Sequence, residues 1–205
     1  MSVQALYSGD KPPSNDDLKC IAELVDRARI AMDVFSSASQ ERLNEAVTAL
    51  AWALYDENHA RELAEIALRD SELGNIPDKI DKVRRKTFGA LRDLMGVRST
   101  GIIEEDIERG TVTYGKPVGV VAAICPSTNP ASTAGNKAMM ALKGGNAVIL
   151  APSPLGYTTT AKAAEFMRLG LEKIGLPIDL VQVLPLPVGK ARTGALMEAC
   201  ALVVA

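Results

Sequence analysis

Three short loops carry the residues of this sequence that could do chemistry, because each follows an apolar run typical of a buried parallel strand. The carboxyl ends of parallel strands lie at one edge of a sheet, and ligands of open α/β sheets bind beyond that edge. We therefore expect a binding site where the three loops meet. The loops comprise Cys125, Pro126, Ser127, Thr128, Asn129 and Pro130; then Pro152, Ser153 and Pro154; and then residues 185–189.

Asn129 is the loop residue whose type best suits catalysis, but its position has two interpretations. An asparagine followed by a proline is a common start of a helix, where the carboxamide caps a free backbone N–H. A carboxamide can also donate a hydrogen bond to an oxyanion that develops during acyl chemistry. Spacing alone favours the cap, because helix caps are much commoner than catalytic amides.

The cysteines Cys20, Cys125 and Cys200 are too few and too far apart for a disulfide framework or a zinc motif. This usage is typical of a protein of the reducing cytoplasm. Cys125 ends an apolar run and is predicted to be a packing residue, because the sequence supplies no histidine partner to activate it. His59, the one histidine, lies among charged residues and is predicted to be a solvated helix residue.

Composition excludes several classes of partner. The net charge is −2, the isoelectric point is near 5.6 and aromatic residues make up 4%, so neither nucleic acid nor an anionic membrane is expected to bind. No run approaches the ~18 apolar residues that a membrane span requires. The first 17 residues lack the apolar stretch of a signal peptide, so we predict a cytoplasmic globular protein.

Residues 1–95 are predicted to form an N-terminal helical segment, because apolar residues recur there with helical spacing. Four helices are expected, and each should begin near a small polar residue that can cap it. The predicted caps are Asn15 or Asp16, then Ser37 with Gln40, then Asn58, then Asp78.

Residues 96–116 have strand-like character on both sides of a turn at Gly110. Such a β-ribbon cannot bury its own apolar side chains, so it must lie on another domain or another subunit. We therefore predict an oligomerisation arm.

Residues 117–205 alternate strand and helix patterns, which predicts a parallel sheet with right-handed crossovers. The fold class is therefore α/β: an N-terminal helical segment followed by a partial doubly wound, Rossmann-like parallel sheet, truncated in its fourth strand at 202–205. A parallel strand normally leads into a loop and a covering helix, which is why truncation is expected. The glycine fingerprint G-x-G-x-x-G is absent, so spacing alone does not identify a cofactor.

The stretch KPVGVVAAICPSTNPAST, followed by NKAMMALKGGNAVILAPSP and GLEKIGLPIDLVQVLP, resembles the cofactor domain of the aldehyde dehydrogenase superfamily. The run FSSASQERLNEAVTALAWALYDENHARELAEIALRD is similar to that superfamily's N-terminal helices. The resemblance extends over about residues 20–205. It implies that 117–205 is the first part of an NAD(P)-binding domain and that the catalytic domain is absent.

Two motifs resemble the CoA-acylating branch of the superfamily. Ordinary oxidising members carry Pro-Trp-Asn after the first strand, whereas this chain has Pro126-Ser127-Thr128-Asn129. Ordinary members also carry Lys-Pro-Ser-Glu after the second strand, where Lys and Glu bind the adenosine ribose; here the residues are Ala151, Pro152, Ser153 and Pro154. The resemblance thus implies that Asn129 is the catalytic oxyanion donor and that the other seven residues bind the cofactor, with NAD and NADP both open.

The resemblance further implies a reaction. An aldehyde, CoA and NAD(P)+ would give acyl-CoA and NAD(P)H, through a nucleophilic cysteine that lies beyond residue 205. The substrate would be a small aldehyde, with acetaldehyde, propanal and sulfoacetaldehyde open, and the enzyme would be a homo-oligomer without a metal. Residues 1–205 alone are expected to be inactive. The alternative is a non-catalytic module that assembles with full-length subunits through its ribbon and sheet edge.

Overall fold

Four amphipathic helices occupy the first half of the chain in the computed structural model, which describes residues 12–205. They are α1 (Asn15–Phe35), α2 (Gln40–Tyr55), α3 (Glu57–Ser71) and α4 (Ile76–Met95). Each has an apolar stripe that becomes buried, as the spacing predicts. The prediction that the N-terminal stretch is no signal peptide falls largely on residues 1–11, which lie outside the described residues.

The caps of these helices differ from the predicted ones. The side chains that accept from backbone N–H groups of the first turns belong to Ser14, Ser39, Asp56 and Asn75. The predictions of Asn15 or Asp16, Ser37, Asn58 and Asp78 were therefore wrong by one to three residues. Small polar residues cluster before each helix, and only the one just outside the first turn can reach its N–H groups.

A two-stranded hairpin follows the helices. Strands β1 (Gly101–Asp106) and β2 (Thr111–Gly115) pair antiparallel, and Gly110 adopts φ +65° in the turn between them. The predicted ribbon and its turn are confirmed. Most of its side chains are exposed, including Ile107 at 91%.

The second half of the chain forms a four-stranded sheet with the order β5-β4-β3-β6, in which all neighbours are parallel. The strands are β3 (Val121–Cys125), β4 (Val148–Pro152), β5 (Val181–Val183) and β6 (Leu202–Val204), and the connecting helices are α5 (Pro130–Lys143), α6 (Tyr157–Lys173) and α7 (Lys190–Ala199). The chain winds outward from β3 to β5 and then returns to the other side of β3. This confirms the predicted α/β fold and places a topological switch between β3 and β6.

The helical segment packs directly on the helices that cover the sheet. Helix α2 lies on α5 and α6, while α1 packs against α7. Gly135 in α5 permits the close approach of α2, because a Cβ at this position would lie 2.3 Å from Cδ1 of Leu54. One cluster of buried apolar side chains therefore extends from α1 to α7. The division into domains at residues 95 and 116 stays a prediction.

None of the helices within residues 12–205 is long and apolar enough to cross a membrane. The same residues contain no group of three or more His, Cys, Asp and Glu side chains suited to a metal ion.

Candidate active site

The loops after β3 and β4 are fastened to each other at the carboxyl edge of the sheet. The backbone N–H of Ser153 donates to the carbonyl oxygen of Cys125 at 2.9 Å. Gly156 lies so close that a Cβ there would be 3.1 Å from the carbonyl oxygen of Pro126 and 3.2 Å from Cβ of Pro130. The first two of the three predicted loops therefore meet at this edge, beside the topological switch.

A lysine on α5 is hydrogen-bonded to the strands at this edge. Nζ of Lys137 donates to the carbonyl oxygen of Ile124 at 2.5 Å and to that of Val204 at 3.2 Å. Ile124 and Val204 lie near the carboxyl ends of the neighbouring strands β3 and β6. One ammonium group thus joins α5 to both strands that flank the switch.

Asn129 stands at the N-cap position of α5, but its side chain makes no capping hydrogen bond. Its backbone angles are φ −141° and ψ 56°, and Pro130 follows as the first helical residue. The interpretation that spacing favoured, a capping carboxamide, is therefore wrong. The half-buried side chain remains available to a ligand.

Thr128 and Asn129 line a cavity of about 260 Å³ between the start of α5 and helices α3 and α4. Its lining includes the apolar side chains of Leu63 and Val83. Lys79 and Lys82 of α4 also line it. No sequence signal links these two lysines of α4 to a loop almost fifty residues later, so they were not among the predicted site residues.

A second cavity, of about 420 Å³, lies on the other side of the same loop. Five of the predicted cofactor-binding residues line it: Pro126, Ala151, Pro152, Ser153 and Pro154. The predicted set is therefore divided, since Thr128 and Asn129 face the first cavity and Ser127 lines neither. The first turn of α7, with Gly189 and Lys190, completes the second cavity. Gly189 belongs to the third predicted loop, residues 185–189, so the sequence had indicated this part of the site.

The second cavity has two features suited to a phosphate-bearing ligand. Oγ of Ser153 is buried and has no hydrogen-bond partner among the residues described, so a polar atom is available there. Gly189, the residue just before helix α7, has no side chain to cap the first N–H groups of the helix, and such groups favour phosphate. The lining residues include no Asp or Glu. A ribose-binding carboxylate of the ordinary type is thus absent from this cavity's walls.

The cysteines near the sheet are chemically protected. Burial raises the pKa of the Cys125 thiol to about 12, although the charge of Lys137 opposes the shift. Burial likewise raises the pKa of Cys200 to about 11, against the charge of Arg29. Thiolate is the nucleophilic form of cysteine, so burial of these two thiols disfavours nucleophilic reactivity.

His59 is not the solvated residue that the sequence predicts. Its Nδ1 donates to the carbonyl oxygen of Ala53 at 2.7 Å, and its ring stacks on Phe166 with centroids 3.8 Å apart. This contact depends on the packing of α3 against α6, which the charged neighbours of His59 in the sequence do not reveal. His59 joins α3 to α6 and lies outside both cavities.

Comparison with known proteins gives consistent matches. Residues 13–201 match the profile of the aldehyde dehydrogenase family. The chain is 49% identical to sulfoacetaldehyde dehydrogenase (acylating) of Cupriavidus necator, over 100% of this chain and 44% of that protein. It is 42% identical to a protein of the same name from Bilophila wadsworthia, over 92% and 40%. An acetylating aldehyde dehydrogenase from Geobacillus thermoglucosidasius superposes with a TM-score of 0.82 at 31% identity, over 91% of this chain and 41% of that chain. The chain thus spans less than half the length of these relatives.

Proposed function

The chain belongs to the aldehyde dehydrogenase family, and we propose that the protein containing it is an acylating aldehyde dehydrogenase. The reaction converts an aldehyde, CoA and NAD(P)+ into acyl-CoA and NAD(P)H. Sulfoacetaldehyde is the proposed substrate, because the relatives at 49% and 42% identity are named for it. The observation that carries the proposal is the position of Asn129, at a cavity and free of any capping role.

Asn129 acts as the oxyanion donor in this proposal. A thiolate adds to the aldehyde carbonyl, and the negative charge that develops on the oxygen requires a fixed donor. The carboxamide of Asn129 provides an N–H at the start of α5, where the helix also presents unpaired backbone N–H groups. Rigid support from Lys137 and the β4 loop keeps this donor in place before the reaction begins.

The nucleophile is assigned to a cysteine outside residues 1–205. Burial raises the pKa of the Cys125 and Cys200 thiols and so disfavours the thiolate form, which supports this assignment. A bound nicotinamide cofactor supplies the hydride acceptor. Within this chain, the residues that would hold the adenosine end of that cofactor line the second cavity, with Ala151–Pro154 on one wall and the start of α7 on the other. NAD and NADP both suit a wall without a carboxylate.

Residues 96–116 are proposed to pack against another copy of the protein. The hairpin exposes Ile102, Ile103, Val112 and Tyr114, each between 41% and 57%. Exposed apolar strands of this kind are normally covered by a partner. A cytoplasmic homo-oligomer follows from the proposal as a whole.

The direct experiment uses the whole protein that contains residues 1–205. Reduction of NAD+ or NADP+ is followed with sulfoacetaldehyde, with and without CoA, and the product is identified by mass spectrometry. The proposal expects cofactor reduction that depends on CoA and a sulfoacetyl thioester as product. A free acid formed equally well without CoA would identify an ordinary oxidising enzyme. Absence of any turnover would favour the non-catalytic assembly module.

A further inference from the structure

Two lysines line the cavity beside Asn129. Among its lining residues, the charged side chains are Asp78, Lys79 and Lys82, all from the first turns of α4. Lys79 and Lys82 are three residues apart and therefore share one face of the helix. The walls from α3 and from the start of α5 contribute no charged side chain.

Lys79 and Lys82 have no counter-ion in the part of the chain that the structure describes. Within residues 12–205, no carboxylate lies at salt-bridge distance from Lys79 or Lys82, and neither makes a side-chain hydrogen bond. The carboxylate of Asp78 lines the same cavity and accepts from the neutral Nδ2 of Asn75 at 2.7 Å, so two lysines and one carboxylate leave one net positive charge there. By contrast, the half-buried Arg168 pairs with Asp179 at 3.1 Å.

Half-burial of two adjacent cations is unfavourable without an anion. Burial first, and the charge of Lys82 second, lower the pKa of Lys79 below its usual 10.5. Such a site is stabilised when an anionic group enters and replaces the lost hydration. The arrangement is therefore suited to an anion that arrives with a ligand.

We propose that Lys79 and Lys82 bind the acidic group of the substrate, so that the enzyme selects small aldehydes carrying a sulfonate or carboxylate. The inference rests on the proposed function and adds the residues that set substrate class. Each ammonium group offers three donors, which matches the three acceptor oxygens of a sulfonate. The carbonyl of the same molecule then lies towards Asn129, because both groups line one cavity.

A second anion source must be distinguished, since CoA carries phosphates that two lysines could also bind. The two sources differ kinetically. If the lysines bind the aldehyde, their removal raises KM for sulfoacetaldehyde and does not change KM for CoA. If they bind CoA, KM for CoA rises for every aldehyde alike.

The test compares the whole protein with its Lys79→Met, Lys82→Met double variant, which keeps the apolar side-chain stems. The measured quantity is the ratio of kcat/KM for sulfoacetaldehyde to kcat/KM for uncharged propanal. We expect this ratio to fall at least about 100-fold, with about tenfold or more for each lysine, because charged hydrogen bonds are lost. Lys86→Met, an exposed position on the same helix, is the matched control and should keep the ratio. An unchanged ratio in the double variant, or a rise confined to KM for CoA, overturns the proposal.

A binding measurement separates this inference from the proposed function. Isethionate, an unreactive sulfonate, should raise the melting temperature of the wild-type protein and of Lys86→Met but not of the double variant. Loss of this effect with loss of the lysines upholds the anion site even if no aldehyde is oxidised. Equal stabilisation of wild type and double variant contradicts it even if CoA-dependent turnover is found.

Discussion

Nζ of Lys137 lies 2.5 Å from the carbonyl oxygen of Ile124, which puts a lysine of α5 in direct contact with the end of β3. The same ammonium group reaches Val204 of β6 at 3.2 Å. Since Asn129 lies on the loop that joins β3 to α5, this contact fixes the distance between strand and helix around the proposed oxyanion donor.

Replacement of Lys137 by Met should therefore lower both stability and turnover. Loss of charge-assisted hydrogen bonds to two carbonyl groups is expected to cost about 1.5–3 kcal/mol in the free energy of unfolding. Displacement of the Asn129 loop should lower kcat by more than it changes KM for the aldehyde. Urea unfolding and steady-state kinetics measure the two effects. A Lys137→Met enzyme with unaltered stability and kcat would show that this contact does not position the Asn129 loop.

The thiol of Cys125 should be inert in the native protein. Its pKa is raised to about 12 from the ordinary 9.0, so folding favours the protonated form. The stability from this preference is present below pH 9 and is lost as the pH rises towards 12. Iodoacetamide at neutral pH should leave Cys125 unmodified until urea unfolds the chain, as judged by mass spectrometry of peptides. Rapid labelling of native Cys125 would contradict the protected thiol.

The affinity for the charged aldehyde should fall as the pH becomes alkaline. Lys79 binds the anion as an ammonium ion, and its pKa lies below 10.5 because of burial and the charge of Lys82. As the pH rises through that pKa, KM for sulfoacetaldehyde should rise while KM for propanal does not. The facing charged groups are Asp78 and Lys82 on the same helix, and no other charged residue lines the cavity walls described. Lys79→Arg should flatten the profile, because arginine stays protonated. A profile that Lys79→Arg leaves unchanged would refute the role of Lys79.

The hairpin should be the site of subunit assembly. Ile102 and Tyr114 are opposite each other across β1 and β2, and both are exposed. Replacing both by Glu puts two like charges into a contact that we expect to be buried, so the oligomer should dissociate. Light scattering after size-exclusion chromatography gives the mass. Glu105→Gln on the same hairpin is the control, and an unchanged oligomer in the double variant would place the interface elsewhere.

Periodicity predicted most elements of this fold. Helix α5, at Pro130–Lys143, is one of the helices of the predicted alternating pattern, and proline and glycine mark its two ends in the sequence. The parallel sheet was also expected, since its strands are apolar runs without alternation. Helix caps were harder to predict: at the first helix, Ser14, Asn15 and Asp16 are all good caps, and only the geometry of the first turn selects Ser14.

The candidate site could be predicted only in part. Loop composition and the family resemblance indicated Asn129 and Ala151–Pro154, which lie at the edge where ligands bind in such sheets. The division of these residues between two cavities depends on which side of the loop each helix covers. The contribution of Lys79 depends on the packing of α4 against α5, a long-range contact that leaves no pattern in the sequence.

The central claim is that Asn129 stabilises an oxyanion, and Asn129→Asp in the whole protein tests it most directly. Asp is as good a helix cap as Asn, and its charge suits the start of α5, so the variant should fold with a melting temperature at or above that of the wild type. A carboxylate cannot donate a hydrogen bond and repels the developing oxyanion, so CoA-dependent turnover should fall by roughly 10²–10³-fold or more. A well-folded Asn129→Asp enzyme with normal turnover would contradict the account.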